Sequence, residues 1–174
     1  ITFHTSGEIS VRPVIIPPDR LNELTSHLML FYTGIKRTAD KVAGSYVPSL
    51  EKKRRQLRIL RDMVEEALSV LCGHGPIKEY GELLHEGWLA KQAISEKISN
   101  DDISELYNAA RDSGAIGGKI TGAGGGGFML LFVPPQFQPA VREKLNRLIH
   151  VPFNFETAGS QVMFYDRDQD YSAA

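Results

Sequence analysis

A glycine-rich segment with one lysine is the part of the sequence best suited to contact a charged ligand. It spans residues 117–127 and reads GGKITGAGGGG. Glycine adopts positive φ angles at no steric cost and lets other groups approach the main-chain N–H groups closely. Because phosphate binds such clustered N–H donors, the segment predicts a position next to phosphate. The alternative is structural: a tight turn before a buried strand, or close packing of backbone on backbone.

Two well-known phosphate motifs do not fit this segment. Gly122, Gly124 and Gly127 match the spacing G-x-G-x-x-G, but dinucleotide binding needs a strand before that motif and a helix after it. Here a helical pattern ends near Ser113, and a strand-like apolar run follows Gly127. A P-loop would need glycine at position 113 and Ser or Thr in place of Ile120. Both motifs are therefore rejected.

A basic segment follows a short apolar run, residues 28–32, that predicts a buried strand. It contains Lys36, Arg37 and Lys41, and it begins with the hydroxyl of Thr33. Loops at strand ends commonly hold ligands, and cationic side chains bind anions through charge-assisted hydrogen bonds. A helix start with solvated charges explains the same composition equally well.

Composition excludes several classes of function. The 174 residues are 42% hydrophobic and 24% charged with a net charge of −1, as expected for one soluble domain without affinity for nucleic acid or a membrane surface. The single cysteine, Cys72, excludes an internal disulfide and predicts a reducing, cytoplasmic environment.

His85-Glu86 begins a zinc-protease motif, but Leu89 stands where the second histidine belongs, so no metal site is predicted. The chain begins at Ile1 without methionine, and we expect it to be part of a longer protein.

The order of predicted elements indicates an α+β fold with a small mixed or antiparallel sheet covered by a block of helices. A hairpin over residues 1–16 comes first, followed by a short helix with Asp19 as N-cap and the strand over 28–32. The later elements are helices over 51–71 and 77–94, a helix capped within 99–102, a strand over 128–133, a helix over 136–148, an alternating run over 151–155 and a strand over 161–165.

Several stretches together resemble one family. The segment 119–127, KITGAGGGG, is similar to the third, C-terminal motif of the GHMP kinases. Within that superfamily the chain resembles the D-glycero-D-manno-heptose 7-phosphate kinases, and the match runs from the first hairpin to Tyr165. The stretches that carry this closer resemblance are 31–37, 83–88, 106–111 and 151–156.

The resemblance implies a ferredoxin-like GHMP kinase C-terminal domain over residues 1–174, with residues 1–16 as the hairpin that links it to a missing N-terminal nucleotide-binding domain. ATP and Mg²⁺ would be bound mainly by that N-terminal domain, which would also supply the catalytic aspartate. The resemblance therefore implies no catalytic residue in this chain. It gives the glycine loop a supporting role at the ATP phosphates, carried by Gly122, Ala123, Gly124, Gly125 and Gly126.

The implied reaction is transfer of phosphate from ATP to the anomeric hydroxyl of D-glycero-D-manno-heptose 7-phosphate. Arg37 is the candidate to bind the phosphate already on the sugar, with Lys36, Lys41 and Thr33 as further candidates. Other GHMP kinase substrates (galactose, fucose or mevalonate) remain alternatives. A different class of hypothesis is that this chain is a binding half that is inactive alone.

Overall fold

The computed structural model describes residues 1–35, 44, 51–95, 98–122, 125–156 and 159. Within these ranges the strands are β1 (Thr2–Phe3), β2 (Ile9–Ser10), β3 (Leu28–Tyr32), β4 (Gly117–Ile120), β5 (Phe128–Phe132) and β6 (Ile149–His150). The helices are α1 (Pro18–His27), α2 (Arg54–Cys72), α3 (Lys78–Gln92), α4 (Asp101–Asp112) and α5 (Gln138–Lys144).

Four of the strands form one sheet in the order β4-β5-β3-β6, and every neighbouring pair is antiparallel. The strands β1 and β2 form a separate two-stranded hairpin. The α+β prediction is therefore confirmed, and the sheet is antiparallel rather than mixed. In the hairpin only two residues of each strand are paired, and its large apolar side chains Phe3 and Ile9 are exposed.

The main core lies on one side of the sheet, where alternate side chains point the same way. Met29 and Phe31 of β3 are buried there beside Met129 and Leu131 of β5. The helix α4 covers them with the stripe that its sequence predicts, which consists of Ile103, Leu106, Tyr107 and Ala110. The prediction of a cap within residues 99–102 is also confirmed, since Asn100 Oδ1 accepts a hydrogen bond from the N–H of Ile103 at 2.9 Å.

A second cluster lies around Phe132, which points to the opposite side of β5 from Leu131. Leu24 of α1 and Ile77, just before α3, complete its buried part. The side chain of Arg20 ties α1 to α2, because it donates to the carbonyl of Val70 at 2.6 Å. The strands β3 and β5 are thus packed on both sides near their shared end.

Helix α3 approaches strand β4 unusually closely because both carry glycine at the contact. A Cβ atom placed on Gly117 would lie 1.9 Å from the carbonyl oxygen of Gly81. A Cβ atom on Gly81 would lie 2.6 Å from the ring of Phe132. The first four residues of the segment 117–127 thus form β4, and Gly117 serves the close packing of backbone on backbone that the sequence left open as an alternative.

Three further elements differ from the sequence predictions, and one prediction is not tested. Asp19 does not cap α1, because the helix already begins at Pro18, where the missing N–H of proline costs nothing. The helix predicted over 136–148 is a 3₁₀ turn, Pro135–Phe137, followed by the shorter α5. Residues 151–155 alternate in hydrophobicity but form no strand: β6 ends at His150, although the N–H of Val151 still donates to the carbonyl of Leu30 at 2.8 Å. The strand predicted over 161–165 lies outside the described residues.

Candidate functional site

The glycine loop, residues 121–127, connects the antiparallel strands β4 and β5. Its ends are held together where the N–H of Thr121 donates to the carbonyl of Phe128 at 2.9 Å. Four of its glycines have positive φ angles: Gly122 (74°), Gly125 (77°), Gly126 (156°) and Gly127 (89°). Side-chain-bearing residues rarely adopt such angles, so the path of this loop depends on glycine.

The structure brings the glycine loop against the segment that follows β3. The N–H of Gly127 donates to the carbonyl of Ile35 at 2.9 Å, and the N–H of Thr33 donates to the carbonyl of Gly127 at 2.8 Å. The hydroxyl of Thr33 donates to the same carbonyl, also at 2.8 Å. A Cβ atom on Gly126 would lie 2.3 Å from the oxygen of Ile35, so this contact requires glycine. Two segments singled out separately in the sequence thus adjoin one another.

Two N–H groups of the loop donate to neighbouring segments of the chain. The N–H of Gly125 donates to the carbonyl of Ile98 at 2.7 Å, and that of Gly127 is bonded to Ile35. Gly126 donates no hydrogen bond to another residue of the described part of the chain. The predicted site residues Ala123 and Gly124, like Lys36, Arg37 and Lys41, lie outside the described residues.

Two lysines that the sequence analysis did not assign to the site flank the start of this loop. The ammonium of Lys91, in the last turn of α3, donates to the carbonyl of Gly122 at 2.5 Å. Lys119 of β4 lines the same groove. Burial and, to a lesser degree, the positive charge of Lys119 lower the pKa of Lys91. A helical pattern could have revealed Lys91, because it falls three residues after the buried Trp88 on the apolar side of α3.

A hydrogen-bonded group behind β4 fixes the strand that leads into the loop. The hydroxyl of Tyr107 lies 2.8 Å from Nδ1 of His85, and the two rings are stacked with their planes 10° apart. Burial raises the pKa of Tyr107 to about 12, although the charge of Arg111 and a hydrogen bond from the N–H of Gly118 oppose the rise. Burial, and then the charge of Arg111, lower the pKa of His85. The group therefore links α3, α4 and β4, and the lowered pKa of His85 favours its neutral form.

Metal ligands are not grouped in the part of the chain described here. No cluster of three or more His, Cys, Asp or Glu side chains that could hold a metal ion occurs among those residues. His85 does not belong to a zinc motif, and its ring is bonded to Tyr107. No helix within the described ranges is long and apolar enough to cross a membrane.

Residues 42–150 match the family model described as GHMP kinases C terminal. The match covers more than half of the 174 residues. The chain belongs to the GHMP kinases. It is 30% identical over 135 residues to the D-glycero-alpha-D-manno-heptose 7-phosphate kinase of Campylobacter jejuni, which covers 76% of this chain and 40% of that protein. It is 57% identical over 100 residues to the mevalonate kinase of Pyrococcus abyssi, which covers 58% of this chain and 28% of that protein.

The fold is shared with solved structures of GHMP kinases. The crystal structure of a D-glycero-D-manno-heptose 1-phosphate kinase from Bacteroides thetaiotaomicron superposes with a TM-score of 0.55 at 21% identity, over 88% of this chain and 40% of that one. The chain thus spans less than half the length of the relatives it matches.

Proposed function

We propose that the protein is an ATP-dependent sugar kinase that phosphorylates the anomeric hydroxyl of D-glycero-D-manno-heptose 7-phosphate. The observation that carries the proposal is the packing of the glycine loop against the segment that begins at Thr33, supported by the likeness to a heptose 7-phosphate kinase over 76% of the chain. In this proposal the glycine loop supports the phosphates of ATP, and the segment after Thr33 faces the sugar phosphate. We place the reaction in the cytoplasm, in keeping with the exposed, unpaired Cys72.

The proposed reaction breaks the bond between the γ-phosphorus of ATP and the oxygen that bridges to the β-phosphate. A new bond forms between that phosphorus and the anomeric oxygen, ADP leaves, and the hydroxyl proton passes to a base. Such transfers depend mainly on positioning and on neutralising charge. We assign the base and the main phosphate loop to an N-terminal domain, so this chain contributes shape and positive charge.

The glycine loop has features that suit contact with the phosphates of ATP. Its backbone is held to neighbouring segments, because the N–H groups of Gly125 and Gly127 donate to Ile98 and Ile35, while the N–H of Gly126 donates to no other described residue. An ideal Cβ on Gly122 would meet nothing within 4 Å, so there is room for a ligand beside it. We assign no Mg²⁺ ligand to the described residues, since they contain no suitable cluster.

Arg37 is proposed to bind the phosphate already present on the sugar, with Lys36 and Lys41 as secondary contacts. The guanidinium group suits bidentate contact with phosphate oxygens. The hydroxyl of Thr33 holds the glycine loop and accepts a hydrogen bond from the N–H of Ile35 at 3.3 Å, so its role is to position the segment. If Arg37→Ala in the full-length protein leaves the KM for the sugar phosphate unchanged, this assignment is wrong.

Mevalonate is the second candidate substrate. The observation in its favour is the 57% identity to the Pyrococcus abyssi mevalonate kinase, although that match covers only 58% of the chain. Mevalonate carries no phosphate, so a mevalonate kinase would not need the proposed contact at Arg37. Fucose and galactose also carry no phosphate, so a kinase for either sugar would not need the contact at Arg37.

A panel of acceptors distinguishes these candidates. The full-length protein is assayed with ATP and Mg²⁺ on heptose 7-phosphate, mevalonate, fucose and galactose, with ADP release as the rate and ³¹P NMR to locate the new phosphate. We expect kcat/KM to be at least about 100-fold higher for heptose 7-phosphate, because a site built for a polar group strongly rejects analogues that lack it. A preference for any unphosphorylated acceptor contradicts the proposal. The 174-residue chain by itself is expected to show no turnover.

A further inference from the structure

We propose that Lys91 and Lys119 form an anion site that binds a phosphoryl group at the start of the glycine loop. The identity of the ligand rests on the proposed function, whereas the site itself rests on the positions of the two lysines. The ligand class is a phosphate ester or anhydride, which could be the nucleotide or the phosphorylated sugar.

The two side chains are brought together by different elements. Lys91 lies in the last turn of α3 and Lys119 lies in β4, which the helix approaches closely through Gly81 and Gly117. Both line one groove of 300 Å³, whose other walls are mainly apolar side chains of α2 and α3. An apolar wall strengthens the interaction of a nearby charge with an ionic ligand, because it excludes water.

Neither lysine has an acidic partner in the described part of the chain. The ion pairs found there involve other residues, such as Lys78 with Glu82 at 3.6 Å on the same helix α3. The ammonium of Lys91 donates one hydrogen bond, to the carbonyl of Gly122, and has two further donors. Two neighbouring cations without a carboxylate repel each other, so a bound anion would relieve an unfavourable interaction.

The position of the pair matches the path of the glycine loop. The bond from Lys91 ends on Gly122, the residue at which the backbone first turns to positive φ. Open space lies beside Gly122, where an ideal Cβ would meet no atom within 4 Å. A phosphoryl group placed there would lie next to the ammonium of Lys91, which lines the same groove as Lys119.

The competing explanation is that Lys91 only fastens the loop and binds nothing. Lys119 separates the two explanations, because its side chain is exposed and makes no hydrogen bond or ion pair to another described residue. Removing its charge should leave the fold unchanged and should affect only a ligand. Lys78 is the control, since it is an exposed lysine at the opposite end of α3, outside the groove, and is paired with Glu82.

The experiment titrates the full-length protein with sodium phosphate, ATP and heptose 7-phosphate in separate arms. The amide signal of Gly122 is followed by NMR, and affinities are measured by calorimetry for the wild type and for Lys91→Gln, Lys119→Gln and Lys78→Gln. We expect phosphate to shift the Gly122 signal and each of the first two variants to weaken binding about tenfold, as for loss of one charge-assisted hydrogen bond. Lys78→Gln should bind as the wild type does.

The arms also identify the source of the phosphate. A weakened affinity for ATP alone assigns the pair to the nucleotide, and a weakened affinity for heptose 7-phosphate alone assigns it to the sugar. If Lys91→Gln fails to fold, Lys119→Gln still decides the outcome. Unchanged affinity of Lys119→Gln for all three probes overturns the proposal. A further outcome is that the two lysine variants lose phosphate binding while the acceptor panel shows that the protein prefers another substrate. That combination would contradict the heptose assignment and would support the anion site.

Discussion

The contact between α3 and β4 should make Gly117→Ala strongly destabilising. Gly117 lies in a strand with an ordinary φ angle, so alanine is allowed by the backbone and the effect is purely steric. The new Cβ would lie 1.9 Å from the oxygen of Gly81 and 2.8 Å from the nitrogen of His85. Because real Cβ atoms keep at least 3.0 Å from such atoms, the helix must move by about 1 Å.

That displacement has two costs. Overpacking of a fitted contact typically costs about 1–3 kcal/mol. Moving α3 also disturbs the hydrogen bond between His85 and Tyr107, and a typical hydrogen bond contributes about 0.5–1.5 kcal/mol. We therefore expect a loss of about 2–4 kcal/mol, which for a domain of this size lowers Tm by roughly 5–15 °C.

The assay is thermal unfolding followed by circular dichroism, with Gly87→Ala as the control. Gly87 lies on the same helix, but its new Cβ would meet only the flexible end of Met63 at 3.5 Å. Alanine favours a helix interior over glycine by about 1 kcal/mol, so the control should be neutral or stabilising. A Tm for Gly117→Ala within about 2 °C of the wild type would refute the close packing of α3 on β4.

Two further predictions concern the hydrogen-bonded group behind β4. Tyr107→Phe removes the hydroxyl between His85 and the N–H of Gly118, and we expect a loss of about 1–3 kcal/mol in urea unfolding because buried groups lose their partner. The second prediction is a decrease in stability as the pH falls below about 6.5, the ordinary pKa of histidine. Burial lowers the pKa of His85 and of His150 in the folded state, so at such a pH the unfolded chain binds more protons and is favoured. His85→Gln should reduce this dependence, as measured by urea midpoints at pH 7.5 and 5.0; an unchanged slope would contradict the assignment.

The sequence predicted secondary structure best where the apolar residues follow one clear pattern. The stripe of α4 and the cap at Asn100 were predicted correctly, because a helix of this amphipathic kind has few alternative placements. The strand β3 was predicted within its observed bounds, since an apolar run of five residues between polar segments fits a buried strand.

The pairing of distant elements could not be predicted from local pattern. The missing side chain of Gly117 admits α3 against β4, and no local pattern shows which helix packs there. The contact between Thr33 and Gly127 joins residues 94 positions apart. Lys91 was missed for the same reason, since its partner Gly122 lies 31 positions along the chain.

The most direct test of the central claim is the effect of Gly122→Ala on the kinetics of the full-length protein. Gly122 has a φ angle of 74° and open space around it, so alanine adds mainly a local backbone cost and a methyl group beside the proposed phosphates. Gly7→Ala is the matched control, because Gly7 has a φ angle of 88° and equally open surroundings in the hairpin of β1 and β2.

If the loop supports the ATP phosphates, Gly122→Ala should raise the KM for ATP about tenfold or more, equivalent to roughly 1.4 kcal/mol. The KM for the sugar phosphate and the Tm should remain close to those of Gly7→Ala. A KM for ATP that is the same in both variants and in the wild type would contradict the claim that the glycine loop contacts the nucleotide.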